Sequence, residues 1–159
     1  MSSKLHQIAL AYIDGFRTLS PEAFLSILSP SAKHKFAPAS LKLPESMDAA
    51  AFADHLGSLR EVIASFPVYP KEIWENEALG QVTIWATSET IFHEKAKGDN
   101  ASADDWKFQG EYIFILTMDE SQEKVEEIVE FLDSKATERL RELMAQARKN
   151  LSEKKDRLA

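Results

Sequence analysis

The spacing of apolar residues changes once near the middle of the chain, and this change separates predicted helices from predicted strands. Up to residue 67, apolar side chains recur every three or four positions, which is typical of helices with one buried stripe. From residue 68 onwards, apolar and polar side chains alternate, which predicts strands. A last helical stripe follows over residues 136–151.

The first half of the chain is predicted to form three helices, with a proline-rich segment before the third. Serines cap the first two helices, and Pro21 occupies the first position of the second helix, where proline fits well. Three prolines within residues 30–44 argue against a continuous helix, so a short edge strand and an extended loop are expected there. The third helix is expected to begin at Ser46 and to end at Pro67.

The second half is predicted to form a four-stranded meander and a closing helix. The predicted strands cover residues 68–75, 81–93, 106–118 and 124–133. The closing helix follows directly, and the polar residues 152–159 are expected to fray. Helices segregated from an antiparallel sheet define the α+β class, here as a single domain over residues 1–151. Helices packed on one strongly bent sheet would enclose a cavity.

Glu130 is the first candidate for chemistry because of its position on the last predicted strand. Side chains alternate along a strand, so Glu130 shares one face with Ile128 and Leu132. A carboxylate in such apolar surroundings requires a partner or a change in its protonation state.

The composition limits the classes of function. The 159 residues are 44% hydrophobic and carry a net charge of −7, and the absence of a dense basic cluster argues against a nucleic-acid partner. The lack of cysteine excludes thiolate chemistry, and the four scattered histidines predict no metal site. Isolated glycines form no phosphate-binding loop, so no cofactor is expected. Without a signal-like N-terminus or an apolar span, a cytoplasmic protein with no membrane partner is expected.

Three segments resemble the NTF2-like superfamily, and within it the SnoaL-like proteins of fungi. These segments are HKFAPASL at 34–41, VTIWATSET at 82–90, and GEY at 110–112 followed by residues 124–136. The resemblance extends over residues 5–151, nearly the whole chain. It implies a cone of three to four helices packed on a strongly curved, mainly antiparallel sheet. It also implies a homodimer and an apolar pocket inside each cone.

The resemblance also implies a kind of activity. Similar fungal proteins include isomerases and cyclases of meroterpenoid and polyketide pathways, which act without a cofactor on small apolar or polycyclic molecules. Ketosteroid isomerase, of the same superfamily, uses tuned carboxyl groups in an apolar cavity. Its base and its hydrogen-bond donors do not map onto this sequence, so only the general chemistry carries over.

Two carboxylates and two histidines are candidates for proton transfer. Glu130 is the candidate general base, since proton transfer suits a carboxyl group in an apolar pocket; alternatively it pairs with a basic neighbour or faces solvent. His55, on the apolar stripe of the third helix, is either a neutral proton shuttle or a hydrogen-bonded core residue. His34 reaches a pocket mouth or stabilises a turn. Glu89 is a second candidate acid or the cross-strand partner of Lys107.

Four aromatic side chains on the predicted strands are candidates for substrate binding. They are Trp85, Phe108, Tyr112 and Phe114. Such a set suits a flat or polycyclic ligand, but an aromatic stripe at strand spacing equally forms a core or a dimer face.

Two functions of different classes follow from these observations. The first is a cofactor-independent isomerase or cyclase that moves a proton on an apolar secondary metabolite. The second is a non-catalytic module of the same fold that binds a ligand or dimerises. An enzyme requires a cavity in which polar groups converge, whereas a binding module requires only an apolar cavity.

Overall fold

The computed structural model describes residues 2–99 and 101–158. Met1, Asn100 and Ala159, which belong to the predicted domain and tail, lie outside the described residues. The helices that the structure describes are α1 (Lys4–Thr18), α2 (Pro21–Ile27), α3 (Ala49–Arg60) and α4 (Ser134–Leu158). Not one of these helices combines the length and the apolar character that a membrane crossing requires.

Eight strands accompany these helices within the described ranges. They are β1 (Leu28–Ala37), β2 (Ser46–Asp48), β3 (Ile63–Ser65), β4 (Val68–Asn76), β5 (Gln81–Glu89), β6 (Ile91–Phe92), β7 (Gln109–Met118) and β8 (Val125–Leu132). Six of them form the main sheet in the order β2-β1-β8-β7-β5-β4, and β3 pairs with β6 in a separate sheet. The meander of β4, β5, β7 and β8 is antiparallel throughout, as predicted. Helices on a mixed, mainly antiparallel sheet confirm the α+β class.

The proline-rich segment forms an internal strand, which corrects the predicted short edge strand. β1 has ten residues and lies between β2 and β8, parallel to β8. The pairing of β1 with β8 shifts register between Leu28 and Lys33, and Pro30 lies within this irregular stretch. Proline is tolerated at such a bulge because its missing N–H interrupts no regular ladder bond.

The third helix is shorter than the sequence predicted. The carboxylate of Asp48 accepts a hydrogen bond of 2.8 Å from the backbone N–H of Ala51, so Asp48 is the N-cap instead of Ser46. The helix ends at Arg60, and the following residues form β3 before Pro67 is reached. Residues 63–65 pair with β6 instead of continuing the helix. The spacing of apolar residues along the helix does not reveal this pairing, because β6 lies later in the chain.

Three further boundaries differ from the predictions. The predicted strand 81–93 is divided between β5 and β6, and β7 begins at Gln109 because Trp106 belongs to a short 3₁₀ turn. Helix α4 continues through Leu158, so the described part of the tail is helical rather than frayed. No proline or glycine occurs in residues 152–158 to end the helix.

The core lies between the helices and the inner face of the main sheet, and its centre is aromatic. Tyr12 and Phe16 of α1 pack against Phe114 of β7 with ring centroids 5.2 Å and 5.6 Å away. Phe24 of α2 packs edge-on against both α1 rings. Such pairs stabilise beyond the burial of their area, because the edge of one ring meets the face of another.

Gly110 of β7 is required by a close approach of side chains. Tyr112 lies two positions along the same face, and its hydroxyl contacts the hydroxyl of Ser88 at 2.7 Å. A Cβ at Gly110 would lie 2.7 Å from Tyr112 Cζ and 2.9 Å from Ser88 Oγ, closer than unbonded atoms allow. The lack of a side chain at Gly110 therefore leaves room for the hydroxyl end of the Tyr112 ring.

We expect Gly110→Ala to lower the free energy of unfolding by about 1–3 kcal/mol, because overpacking a buried site forces neighbouring atoms to move. Urea denaturation followed by tryptophan fluorescence measures this change. Gly57→Ala is the matched control: apart from the neighbouring residues and the backbone of α3 itself, no atom lies within 4 Å of the added Cβ. This control should stabilise the protein by up to about 1 kcal/mol through helix propensity. Equal effects of the two substitutions would contradict the steric explanation.

Candidate active site

A cavity of about 550 Å³ lies between the inner face of the main sheet and the helices α3 and α4. Most of its lining is apolar, with aromatic side chains from α1, α3 and β7. Its exposed lining residues are Pro44, Ala145 and Arg148, and we refer to these three residues as the cavity mouth. A volume of this size suits a drug-sized or polycyclic molecule.

Glu130 borders this cavity from β8 and is bonded to His34 of β1. The carboxylate oxygen Oε1 lies 2.9 Å from the imidazole Nε2, and both side chains are buried, with 10% and 3% of their surface exposed. Within the described residues this is the one hydrogen bond of the Glu130 side chain, so Oε2 stays available to a ligand. Burial in an apolar site makes such a charge-assisted hydrogen bond strong.

The parallel pairing of β1 with β8 creates this contact. Phe36 is the register partner of Glu130, and His34 is the partner of Ile128, two residues earlier on each strand. Residues two apart on a strand share a face, so His34, Phe36 and Glu130 all point to the inner side of the sheet. Residues separated by 96 positions are thereby brought together.

His34 is held in one orientation by two aromatic rings. Its imidazole stacks on Phe52 of α3, with centroids 4.2 Å apart, and on Phe36, 4.7 Å away. Its Nδ1 is buried and has no hydrogen-bond partner in the part of the chain that the structure describes. A proton on Nδ1 would therefore be an unpaired buried donor, which is costly. The arrangement favours the neutral tautomer in which Nε2–H donates to the Glu130 carboxylate.

His55 of α3 lines the same cavity and is held in its neutral form. Burial lowers the pKa of its imidazole, the negative charge of Glu130 raises it, and the positive charge of Arg148 lowers it again. The net direction is downward from the ordinary value. A neutral imidazole at neutral pH can accept or donate a proton, so the predicted role of His55 as a shuttle stays a prediction.

Two tyrosine hydroxyls lie near Glu130 and keep their protons. Burial raises the pKa of Tyr12 and of Tyr112, and the charge of Glu130 raises both further. Tyr112 lines the cavity and is bonded to Ser88, whereas the buried Tyr12 hydroxyl has no partner in the described ranges. Both tyrosines therefore stay in the protonated phenol form at neutral pH.

The structure brings five of the eight predicted site residues together. Glu130, His55, Tyr112 and Phe114 line the cavity, and His34 lies directly behind Glu130. Phe108 is buried in the core but does not border the cavity, which corrects its predicted role in binding.

Trp85 and Glu89 lie on the outer face of the sheet, away from the cavity, and both placements correct the prediction. The neighbours of Trp85 along β5 point inwards, so its indole points outwards and donates to Glu111 Oε2 at 2.6 Å. Glu89 is exposed, and its nearest polar contact is the hydroxyl of Tyr69 at 3.4 Å instead of Lys107. Alternation had put both residues on one face, but it did not show which face is the inner one.

Sequence reasoning missed the two arginines of α4 that line the cavity, Arg141 and Arg148. Their separation of seven residues, beside the apolar stripe, was a signal that they share a face. It also missed Tyr12, the one residue with a polar tip on the buried stripe of α1. In the described ranges, His, Asp and Glu side chains nowhere form a group of three that suits a metal ion.

The architecture is that of the NTF2-like proteins, as predicted from the three sequence segments. The pinacolase BvnE of Penicillium brevicompactum matches with a TM-score of 0.75 at 19% identity, over 91% of this chain and 96% of that chain. TerC, co-crystallised with polyporic acid, matches with a TM-score of 0.65 at 19% identity, over 90% and 99% of the two chains. At this identity the likeness shows the fold.

A closer relative defines the family. Austinoid biosynthesis clusters protein H of Penicillium brasilianum is 33% identical over 127 residues, which are 79% of this chain and 80% of the relative. No model of a protein family matches the chain. The chain belongs to the family of the austinoid biosynthesis cluster H proteins, which confirms the predicted resemblance to fungal SnoaL-like proteins.

We expect the imidazole of His55 to titrate below the ordinary value of about 6.5. NMR signals of the ring protons, followed against pH, measure the midpoint. Glu130→Gln should lower the midpoint further and Arg148→Gln should raise it, because one substitution removes a negative charge and the other a positive charge. Because the unfolded chain binds the proton more readily, this residue should reduce stability as the pH falls below about 6.5.

The matched control is Arg139→Gln, which removes an equal charge from the same helix but outside the cavity. It should leave the His55 midpoint unchanged. A midpoint above the ordinary value, or one that Glu130→Gln raises, would contradict the assigned environment.

Proposed function

We propose that this protein is a cofactor-independent isomerase or cyclase that transfers a proton on an apolar secondary metabolite, with Glu130 as the general base. One observation carries the proposal: the buried Glu130 carboxylate, bonded to His34, borders an apolar cavity of about 550 Å³. A base held in such a site reacts without first losing a shell of ordered water.

The chemistry begins with removal of a proton from a carbon next to a carbonyl group. Oε2 of Glu130 accepts the proton, while Oε1 keeps its hydrogen bond to His34. The electron pair of the broken C–H bond moves into the enolate. The same proton then returns to a different carbon. Alternatively, the enolate carbon attacks a second carbonyl carbon of the substrate and closes a ring; the π pair of that C=O bond moves to its oxygen, which takes the proton back from Glu130.

Hydrogen-bond donors near the base stabilise the enolate oxygen. Tyr112 borders the cavity, and its hydroxyl, which is bonded to Ser88, keeps its proton because burial raises its pKa. The neutral His55 imidazole offers a second donor or a proton relay. Preorganised donors aimed at a developing oxyanion are a large source of rate enhancement.

The relatives support the same class of ligand. The relatives of Penicillium brasilianum and Aspergillus calidoustus are named for the biosynthesis of austinoids, the fold is shared with a pinacolase, and TerC was crystallised with polyporic acid. These names support a small molecule from secondary metabolism as the ligand of this cavity. The predicted cytoplasmic location stays a prediction.

We expect Glu130→Gln to lower turnover by about 10²–10⁴-fold with little change in ligand affinity, because the amide keeps the shape but cannot accept the proton. Conversion of polycyclic ketones of fungal secondary metabolism, followed by chromatography and mass spectrometry, measures turnover. Glu126→Gln, exposed on the same strand, is the matched control and should retain full activity.

The non-catalytic alternative predicts a different result. A binding module would take up the same metabolites with unchanged structure in wild type and in Glu130→Gln alike. Equal turnover by the two proteins would refute the role of Glu130 as a base.

We also infer that the protein forms a homodimer through the outer face of the main sheet. Large apolar side chains recur along two cross-strand rows of this face, although Glu72 pairs with Trp85 at the end of the first row. Trp85, Ile113 and Phe131 are register partners, and Trp74 is aligned with Ile115 through Thr83. Phe131 and Trp74 are about half exposed. A contiguous apolar patch of this kind on a sheet indicates a protein interface.

We expect Phe131→Glu to convert the dimer to a monomer, because a charge at the centre of an apolar interface loses its hydration on association. Sedimentation velocity measures the change in mass. Leu79→Glu, at an exposed leucine outside these rows, should leave the dimer intact. A wild-type protein that sediments as a monomer at all concentrations would refute the interface.

A further inference from the structure

Two arginines face the cavity of an otherwise acidic protein. The chain has a net charge of −7, yet the charged residues of helix α4 that line the cavity are Arg141 and Arg148, and no acidic residue of α4 lines it. They lie seven residues apart, which is two helical turns and about 10 Å along the axis, on one face of the helix. Glu130 of β8 lines the same cavity as these two arginines.

The hydrogen bonds that Arg141 already makes occupy only some of the N–H donors of its guanidinium group. Arg141 Nη1 contacts Glu138 Oε1 at 2.8 Å, and Arg141 Nη2 donates to the Leu41 carbonyl. A guanidinium group has five N–H donors, so Arg141 keeps unpaired donors for a ligand. Its side chain is 39% exposed.

Arg148 is held more loosely than Arg141. Its Nη1 lies 3.4 Å from Glu61 Oε2, and its Nη2 lies 3.1 Å from Ser58 Oγ. Glu61 is mostly exposed, and ion pairs in contact with water contribute little to stability. Arg148 can therefore exchange Glu61 for an anion at the cavity mouth without leaving a buried group unpaired.

We propose that the ligand of this cavity is an apolar molecule that carries a delocalised oxygen anion, such as a carboxylate or an enolised 1,3-dicarbonyl, bound by Arg148 and Arg141. The planar guanidinium presents parallel N–H donors that match two oxygens of one anion, a geometry that an ammonium group does not offer. The apolar body of the ligand then extends towards Glu130 and His55. This inference rests on the proposed function in that it names the substrate class of the same cavity.

Two fluorescent probes that share one apolar body test the charge requirement. 1-Anilinonaphthalene-8-sulfonate carries an oxygen anion, and N-phenyl-1-naphthylamine is the same aromatic amine without it. Fluorescence titration gives both dissociation constants. We expect the wild-type protein to bind the anionic probe about tenfold more tightly than the neutral probe, because the sulfonate oxygens accept charged hydrogen bonds.

Substitution of the arginines should remove this preference. Arg148→Gln and Arg141→Gln are each expected to weaken the anionic probe about five- to tenfold and the neutral probe less than about twofold. Arg139→Gln, on the same helix outside the cavity, is the matched control and should change neither constant. Ala145→Trp, which fills the exposed mouth, should weaken both probes and so locate them in the cavity.

The outcomes separate this inference from the proposed reaction. Equal affinity for the two probes in the wild-type protein, or a preference that survives both arginine substitutions, would overturn the anionic ligand. Probe binding does not require turnover, so Glu130→Gln should retain the preference even if the proposed reaction is wrong. Loss of turnover in Glu130→Gln, with no probe preference in any variant, would leave the reaction supported and remove the anion.

Discussion

The hydrogen bond between His34 and Glu130 is the constraint on which the rest of the site depends. A carboxylate removed from water needs a partner, and here the partner comes from a parallel strand 96 positions earlier in the chain. The imidazole in turn is fixed between Phe52 and Phe36, so helix α3 must pack over β1 for the pair to exist. Loss of either partner would leave a buried polar group unpaired.

The charge of Glu130 also affects the pKa values of the titratable side chains around it. Burial raises the pKa of the Tyr12 and Tyr112 hydroxyls, and the negative charge of Glu130 adds to this effect, whereas the same charge opposes the downward shift that burial imposes on His55. Donors and a base thus lie around one apolar space. The arginines of α4 add positive charge on another side of that space, so the cavity has two electrostatically different ends.

Local rules were sufficient for most of the fold. Apolar periodicity and caps located α1, α2, the meander and the start of α4, because these elements depend on the side chains next to each other in the chain. The local rules failed where pairing decided the outcome. Residues 28–37 form an internal strand because they pair in parallel with β8. Residues 63–65 are not part of the predicted helix because they pair with β6.

The candidate site shows the same division. Glu130, His55, Tyr112 and Phe114 were predicted from polar or aromatic groups on apolar faces, whereas Trp85 and Glu89, correctly assigned to one common face, lie on the outer face of the sheet. A period of two assigns residues to one of two faces but does not say which face the helices will cover. Arg141 and Arg148 were missed because a charge beside an apolar stripe normally faces water.

The sequence by itself determined the kinds of elements, most of their order, the fungal family and the shared face of Glu130, Ile128 and Leu132, because these follow from local periodicity and from short segments of shared residues. Only the tertiary structure decided which residue pairs with Glu130, which sheet face borders the cavity and which charges surround it. These properties depend on contacts between distant segments, and the register between strands fixes such contacts without leaving a local signal.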